Sequence, residues 1–338
     1  MKNTICLFIL LIVSCSSEEK RGILTSNYGY TQGTTYSIRY MSPEGKNRQS
    51  DIDSLLSDVD QSLSTYIKGS VISKINRNEI NKLDSFCYVV LENALDIAKK
   101  TEGAFDPTVA ALVNFWGFGF EEIKGENKTS LSNIMKTVGF DKVHIDGDKI
   151  VKENPKTQLD FNGIAQGFTV DIIAEHFHRI GIKDYMIEIG GELRCKGRNA
   201  ENELWRIGIE KPEQKRSKDH FQAILAINDL AVASSGNYRK YKTDTLSGTR
   251  YSHSINPRTG QPVKSNLLSV TIINPSCMVA DALSTACMIM GLEKSIEYII
   301  QDSDTEALII YSEPNGDWKV FQTEAIKEMS IYSSQIKK

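Results

Sequence analysis

The chain has 338 residues, 40% of them hydrophobic, enough for a sizeable core in one large domain or two intimate ones. Its formal net charge is −3, and no run of Lys and Arg is interleaved with aromatics. That composition excludes the basic surface nucleic-acid binding needs, so no nucleic-acid partner is expected.

The first element is a targeting segment, residues 1–14. Lys2 gives a positive start, Ile5 to Val13 an apolar stretch, and Ile12-Val13-Ser14-Cys15 a small-residue site ending in cysteine. An apolar run of roughly ten residues falls short of the ~20 a bilayer span needs, so the segment reads as an export signal that is removed. Its ending resembles a bacterial lipobox, which implies cleavage before Cys15 and lipid attachment to that residue. The mature protein is then tethered outside the cytoplasm, on an inner membrane facing the periplasm. An ordinary secretory signal with an incidental cysteine is the other reading. Residues 15–28, polar and charged at their start, read as a spacer, and 29–338 as the folded domain.

Within that domain Thr34 to Tyr40 alternates as a strand, and Ile52, Leu55, Leu56, Val59 and Leu63 recur at helical spacing. A second helix runs from about Tyr88 to Thr101, stopped by Gly103. Residues Glu121 to Lys128 are charged and read as a surface loop. Further on, strands are predicted at Tyr185 to Ile189, Trp205 to Glu210, Phe221 to Ile227, Ala231 to Ser234, Leu267 to Ile273 and Ala307 to Tyr311. Helices are predicted at Ala165 to Ile180, Val279 to Met290 and Lys294 to Ile300. The elements show no steady β-α-β beat, which favours an α+β fold over a doubly wound sheet.

Of the six cysteines, Cys6 and Cys15 belong to the targeting segment. Cys87, Cys195, Cys277 and Cys287 have no zinc-type spacing, and the default reading is buried thiols acting as small hydrophobes. The export signal leaves disulfides open among them.

The chemistry-bearing residues gather at Gly-rich junctions. Asp160-Phe161-Asn162-Gly163-Ile164-Ala165-Gln166-Gly167 leads from a short strand into a helix, where backbone N–H groups can face a phosphate or simply make a tight connection. Ile189-Gly190-Gly191-Glu192 and Ala233-Ser234-Ser235-Gly236-Asn237-Tyr238 read as two more tight turns. Tyr251 to Pro262, Y-S-H-S-I-N-P-R-T-G-Q-P, is a turn-rich segment that brings His253 near Arg258, a phosphate contact or a salt-bridge partner. Ala280 to Ala286, A-D-A-L-S-T-A, opens a helix with a carboxylate and two hydroxyls in its first turn.

Asp281 and Thr285 are four residues apart and share a helix face, and oxygen-only donors of this kind suit Mg²⁺ or Ca²⁺ rather than zinc. The competing reading is an Asp that caps the helix and a Thr packed inside it. The other histidines, His144, His176, His178 and His220, fall on a predicted helix or near polar loops, where solvated rings are the norm. A Ser/His hydrolase using Ser252 lacks any nucleophile-elbow motif.

Taken in order, several motifs amount to a resemblance. They are Gln32-Gly33-Thr34, Leu63-Ser64-Thr65-Tyr66, Gly103-Ala104-Phe105-Asp106-Pro107-Thr108-Val109, Asp160 to Gly167, Gly190-Gly191-Glu192, Ser235-Gly236-Asn237-Tyr238, the histidine turn and A-D-A-L-S-T. This set resembles the ApbE family of FAD:protein FMN transferases over nearly the whole mature chain. The resemblance implies an ApbE-like α+β fold, with mixed or antiparallel sheets packed with helices and an FAD cleft between two intimately joined lobes. It also implies FAD as substrate, contacted by Gln32, Tyr66, Gly103, Ala104, Phe105, Asp160, Gln166 and Ile255. Mg²⁺ is implied on Gly163, Asp281 and Thr285, with Ser284 a further ligand and His253 the base that takes a proton from an acceptor hydroxyl. The implied acceptor is a flavin-accepting protein of an electron-transport complex. An FAD pyrophosphatase and a non-catalytic flavin carrier are the alternatives. Gln32, Asn162, Gln166, Asn237 and Asn256 depart from the residues common in the family, but the metal ligands and the histidine are intact.

Overall fold

The computed structural model describes residues 22–119, 130–213, 220–236, 241–243, 250–252 and 254–334. The first half contains β1 (Ile23–Thr31), β2 (Thr34–Ser42), α1 (Gln49–Leu63), α2 (Val71–Asn76), α3 (Ser85–Lys100), α4 (Ala110–Phe115), α5 (Leu131–Met135), β3 (Val143–Asp146), β4 (Lys149–Lys152) and α6 (Ala165–Arg179). Then come β5 (Tyr185–Ile189), β6 (Glu192–Lys196), β7 (Trp205–Glu210), β8 (Phe221–Ile227), β9 (Leu230–Gly236), β10 (Tyr241–Thr243), β11 (Arg250–Ser252) and β12 (Leu267–Asn274). The chain closes with α7 (Cys277–Met290), α8 (Leu292–Gln301), β13 (Glu306–Ser312), β14 (Trp318–Gln322), α9 (Glu324–Met329) and β15 (Ser330–Ser333).

One eight-stranded sheet, in the order β1-β2-β5-β6-β9-β12-β13-β14, forms the frame. Every neighbouring pair in it is antiparallel. Helices α1, α3, α6 and α7 cover one face in two adjoining cores. Around one end of the sheet, Tyr36, Ile38, Tyr40, Ile187 and Ile189 bury against Ile52 and Leu56 of α1 and Val170, Ile173 and Phe177 of α6. Around the other, Ala233, Val270, Ile272 and Ile309 bury against α3 and α7. The opposite face carries the small sheet β15-β8-β7, which packs Trp205, Ile207 and Leu225 onto Leu193, Cys195, Val232, Ile273 and Ile310. Thus the α+β class holds, and both helical cores share one sheet.

Several sequence expectations need correction. Residues 23–28, assigned to the spacer, are strand: β1 pairs with β2 in unbroken register from Ile23 to Thr31. Its core-facing positions include the polar Asn27 and Thr31, so it lacks the apolar alternation that marks a strand in sequence. The strand expected at Ala231 to Ser234 runs on through Ser235 and Gly236, expected in a tight turn and paired instead with Val270 and Ser269. No strand leads directly into Asp160; after β4 ends at Lys152, Gln158 makes only an isolated bridge to Val109. Helix α7 starts at Cys277, capped by Ser276, whose hydroxyl accepts from the Val279 N–H. Asp281 therefore sits in the second turn and does not cap the helix. Helix α3 likewise begins at Ser85, because Asp84 accepts from the Cys87 N–H. His144 is exposed on β3, close to the turn that joins it to β4.

The four cysteines Cys87, Cys195, Cys277 and Cys287 are buried and free, matching the thiol expectation. Residues 1–21, with Cys15, and residues 121–128, expected as a surface loop, lie outside the described residues. Among the described residues no helix is long and apolar enough to cross a membrane.

Candidate active site

The site grows from the crossing of α6 and α7. A Cβ at Gly167 would lie 2.3 Å from the Cys277 carbonyl oxygen and 2.9 Å from the Asp281 Cβ, so the two helices meet here only because Gly167 has no side chain. The crossing brings the Gly167 N–H to 3.1 Å from Asp281 Oδ2. Four residues on from Gly167, Asp171 accepts from Ser276 Oγ (2.9 Å), the Cys277 N–H (3.1 Å) and the Met278 N–H (3.0 Å). Arg194 donates to the same carboxylate at 2.8 Å. Asp171 thus closes the first turn of α7 from α6, a favourable place for an anion.

The connection into α6 is fixed on both sides. Asn76 clamps the Leu159 backbone with bonds of 2.8 and 2.7 Å, and the Asp160 N–H donates to the Pro107 carbonyl at 2.8 Å. Asp160 is buried, and its carboxylate accepts from the Asn162 N–H at 2.8 Å. Burial raises its carboxyl above the ordinary value, and the Asn162 bonds pull it back down. Gly163 then passes between the Phe105 ring and Thr285: a Cβ there would be 3.2 Å from Thr285 Oγ1 and 3.4 Å from the Phe105 ring. Ile164 supplies no side-chain cap to α6, and the first turn is held instead by the Phe161 carbonyl on the Ala165 N–H and by Asp281 on the Gly167 N–H.

On α7, Ser284 Oγ donates to the Asp281 carbonyl at 2.9 Å. Ser235 of β9 lies 2.8 Å from Ser284 Oγ and 3.4 Å from Thr285 Oγ1. Gln166 reaches towards the β5–β6 turn, where a Cβ at Gly190 would be 2.9 Å from its Nε2 and 3.3 Å from Glu192 Oε2. Burial pushes the Asp281 carboxyl well above its ordinary value, and the Glu192 carboxylate pushes it further. A buried carboxylate whose main charged neighbour is another carboxylate calls for a cation. Among the described residues no group of three His, Cys, Asp or Glu could hold a metal, and what gathers here is the Asp281 carboxylate, with Glu192 near it, and the hydroxyls of Ser235, Ser284 and Thr285. These oxygens fit a hard ion such as Mg²⁺.

The structure brings Gly163, Gln166, Asp281, Ser284 and Thr285 into this one cluster and sets Phe105 against it. Tyr66 is 66% exposed; burial and then the Asp160 carboxylate raise its hydroxyl, which places the side chain in the neighbourhood of that Asp. Gly103 takes a positive φ of 77°, which suits glycine, and with Ala104 lines a cavity of about 350 Å³ shared with Asn256, Arg258, Met290 and Tyr298.

Gln32, in the β1–β2 turn, points its amide inward, donating to Thr169 Oγ1 of α6 at 2.8 Å and bonding Asp60 of α1. Ile255 packs its side chain with Leu112, Ile134 and Val138, leaving its backbone as the part able to meet a ligand. Arg258 donates to the Glu102 carbonyl and lies 3.4 Å from its carboxylate, the salt-bridge reading. His253 lies outside the described residues, as do Asn237 and Tyr238. Beside it, Asn256 Oδ1 accepts from the Arg258 and Thr259 N–H groups and holds the turn. The roles of Asp171 and Ser235 escaped the sequence reading. The i, i+4 spacing of Gly167 and Asp171 was the available signal, since it sets both on the face that meets α7.

The fold and site are those of an antiparallel α+β protein with a polar, oxygen-rich cluster where two helices cross its sheet. The ApbE family model matches residues 32–309, and the chain belongs to the ApbE family. It is 35% identical over 322 residues to the FAD:protein FMN transferase of Haemophilus influenzae, covering 91% of each chain. The protein of that name from Vibrio cholerae is 36% identical over 328 residues, covering 94% of this chain and 96% of the relative. Among solved structures, the flavin transferase ApbE from Vibrio cholerae superposes with a TM-score of 0.80 at 34% identity, covering 91% of this chain and 99% of that one.

Proposed function

We propose that the chain is an FAD:protein FMN transferase, moving the FMN part of FAD onto a Ser or Thr hydroxyl of a target flavoprotein and releasing AMP. The observation that carries this reading is the convergence of Gly163, Asp281, Ser284 and Thr285 at the α6–α7 crossing, in a chain so similar to transferases of that name. In the reaction the acceptor oxygen forms a bond to the FMN-side phosphorus of the pyrophosphate. The bond from that phosphorus to the bridging oxygen breaks, and AMP leaves with the oxygen.

This chain's residues supply position and proton handling. At the start of α6 the Ala165 N–H bonds the Phe161 carbonyl and the Gly167 N–H bonds Asp281, which leaves the Gln166 N–H to meet a phosphate oxygen. Tyr66 offers an open aromatic face to a flavin or adenine ring, and the backbone around Gly103 to Phe105 and Ile255 borders the ligand. His253, an imidazole able to accept a proton near neutral pH, takes the proton of the acceptor hydroxyl. A Mg²⁺ ion held by the Gly163 carbonyl, Asp281 and Thr285, with Ser284 beside them, would neutralise the charge that grows on the phosphate oxygens. Replacing His253 by Ala is expected to slow transfer by roughly 10²–10⁴-fold.

The proposal extends to location. Residues 1–14 act as a lipoprotein signal peptide, Cys15 carries the lipid, and the enzyme works outside the cytoplasm on the inner membrane, facing the periplasm. There its partner is a flavin-accepting protein of an electron-transport complex. Support for this part is the charged start, the short apolar run and the Ser14-Cys15 ending.

The test is AMP release, followed with FAD and Mg²⁺ in the presence and absence of an acceptor. Release that depends on the acceptor is the expected result. Equal release without it would mark an FAD pyrophosphatase, and tight FAD binding without turnover would mark a carrier.

A further inference from the structure

Among the described residues, the outer face of β1–β2 carries exposed side chains that the proposed reaction leaves unused, and its place in the chain says what covers it. Of eleven large apolar residues exposed among the described residues, Ile23, Leu24, Tyr28 and Tyr30 fall in the single strand β1. Tyr28 is 59% exposed, Tyr30 87% and Leu24 46%. The spacing of two puts Leu24, Ser26, Tyr28 and Tyr30 on one face, away from the buried Asn27 and Thr31. Arg39 of β2 adds a cation there, bonded to the Tyr28 hydroxyl. Strand β1 ends the eight-stranded sheet, and its sequence ILTSNYGYT holds no charge or proline to protect that edge. The small sheet β15-β8-β7 packs against β6, β9, β12 and β13 and does not cover it.

We propose that this face of β1–β2 lies on the lipid headgroup layer, with Leu24, Tyr28 and Tyr30 at the interface and Arg39 among the headgroups. The inference rests on the proposed lipid attachment at Cys15. Only residues 16–22 separate that cysteine from β1. At ~3.3–3.6 Å per residue they reach at most about 25 Å, so the strand that begins at Ile23 cannot leave the membrane's neighbourhood. Tyrosine, apolar in body and polar at its tip, and Leu beside an arginine are the side chains that settle at such an interface. Seated this way, β1 runs along the surface and brings the turn at Gln32, next to α6, close to the membrane. A membrane-bound acceptor would be met there.

The test uses the full, lipidated chain in vesicles of phosphatidylethanolamine and phosphatidylglycerol, with or without bromine on the acyl chains. Two reporters are compared after subtracting the emission of the native tryptophans: Tyr28→Trp, and Ile300→Trp on the exposed side of α8. The latter lies near β13, about 29 Å from β1 across six strand spacings. The expected result is that brominated lipid removes about half of the Tyr28→Trp emission and leaves Ile300→Trp unchanged. Lipidation is read independently from the mass of the N-terminal peptide. A lipidated, vesicle-bound chain with an unquenched Tyr28→Trp overturns the inference. So does an emission shift that appears only when acceptor protein is added, which would make the face a protein-docking surface. An N-terminal peptide without lipid removes the anchor reading, and this inference with it, while leaving the transferase activity to be measured separately.

Discussion

Gly167 sets the distance between the two helices that carry the site, and its lack of a side chain is the reason they can meet. Replacing it with Ala pushes a Cβ into the Cys277 carbonyl, which is backbone and cannot swing away. The expected cost is about 1–3 kcal/mol in urea unfolding, with a loss of labelling as Asp281 is displaced. Asp281→Ala should leave the fold largely intact but lower FMN transfer by more than the roughly 10–100-fold typical of outer-shell partners of a metal. Asp281 also gives the pH dependence a sign. Its folded-state carboxyl lies above the ordinary 3.8, raised by burial and then by Glu192. The stability it contributes is therefore present below that value and lost as pH rises through the raised one. In EDTA the melting temperature is expected to fall as pH climbs from about 4 towards neutrality, with Mg²⁺ reversing the loss and Asp281→Asn flattening both effects. A melting temperature indifferent to Mg²⁺ at neutral pH would count against the cation reading.

Among the elements, α6 and α7 behave as a pair locked by Asp171. Removing that carboxylate with Asp171→Ala strips three partners from the first turn of α7 and one from Arg194, so a loss of at least about 1 kcal/mol is expected by chemical denaturation. Asn in its place retains a cap acceptor and should recover part of that loss. The alternation of Trp205 to Glu210 and Phe221 to Ile227 was legible because both strands bury one face under a second sheet. The first strand was not, because its outer face is open and its inner face holds Asn27 and Thr31. Sequence spacing also gave the shared face of Asp281 and Thr285 correctly. It misjudged their distance from the helix start, since Ser276, three residues before Val279, supplies the cap. The inward turn of Gln32 was hidden for a different reason: Thr169 and Asp60, its partners, are distant in sequence and meet it only in the fold.

Over the whole molecule, one antiparallel sheet carries two helical cores on one face and a small sheet on the other, and the four thiols of the folded domain are sealed within it. Burial pushes the Cys287 thiol up to about 12 and raises Cys87, Cys195 and Cys277 as well. At about pH 8 a thiol reagent is expected to leave all four untouched in the folded protein and to titrate them after unfolding. Rapid reaction of the folded domain would contradict this packing. The family motifs span the chain from Gln32 to Thr285 because the site draws on the β1–β2 turn, the entry to α6, β9 and α7, so no short stretch of sequence contains it. The most direct measurement is the intact mass of an acceptor domain incubated with FAD, Mg²⁺ and this protein. The expected result is one FMN on a Ser or Thr of the acceptor, absent with Asp281→Ala. An acceptor left unmodified here, yet labelled by another ApbE-family transferase, would contradict the account.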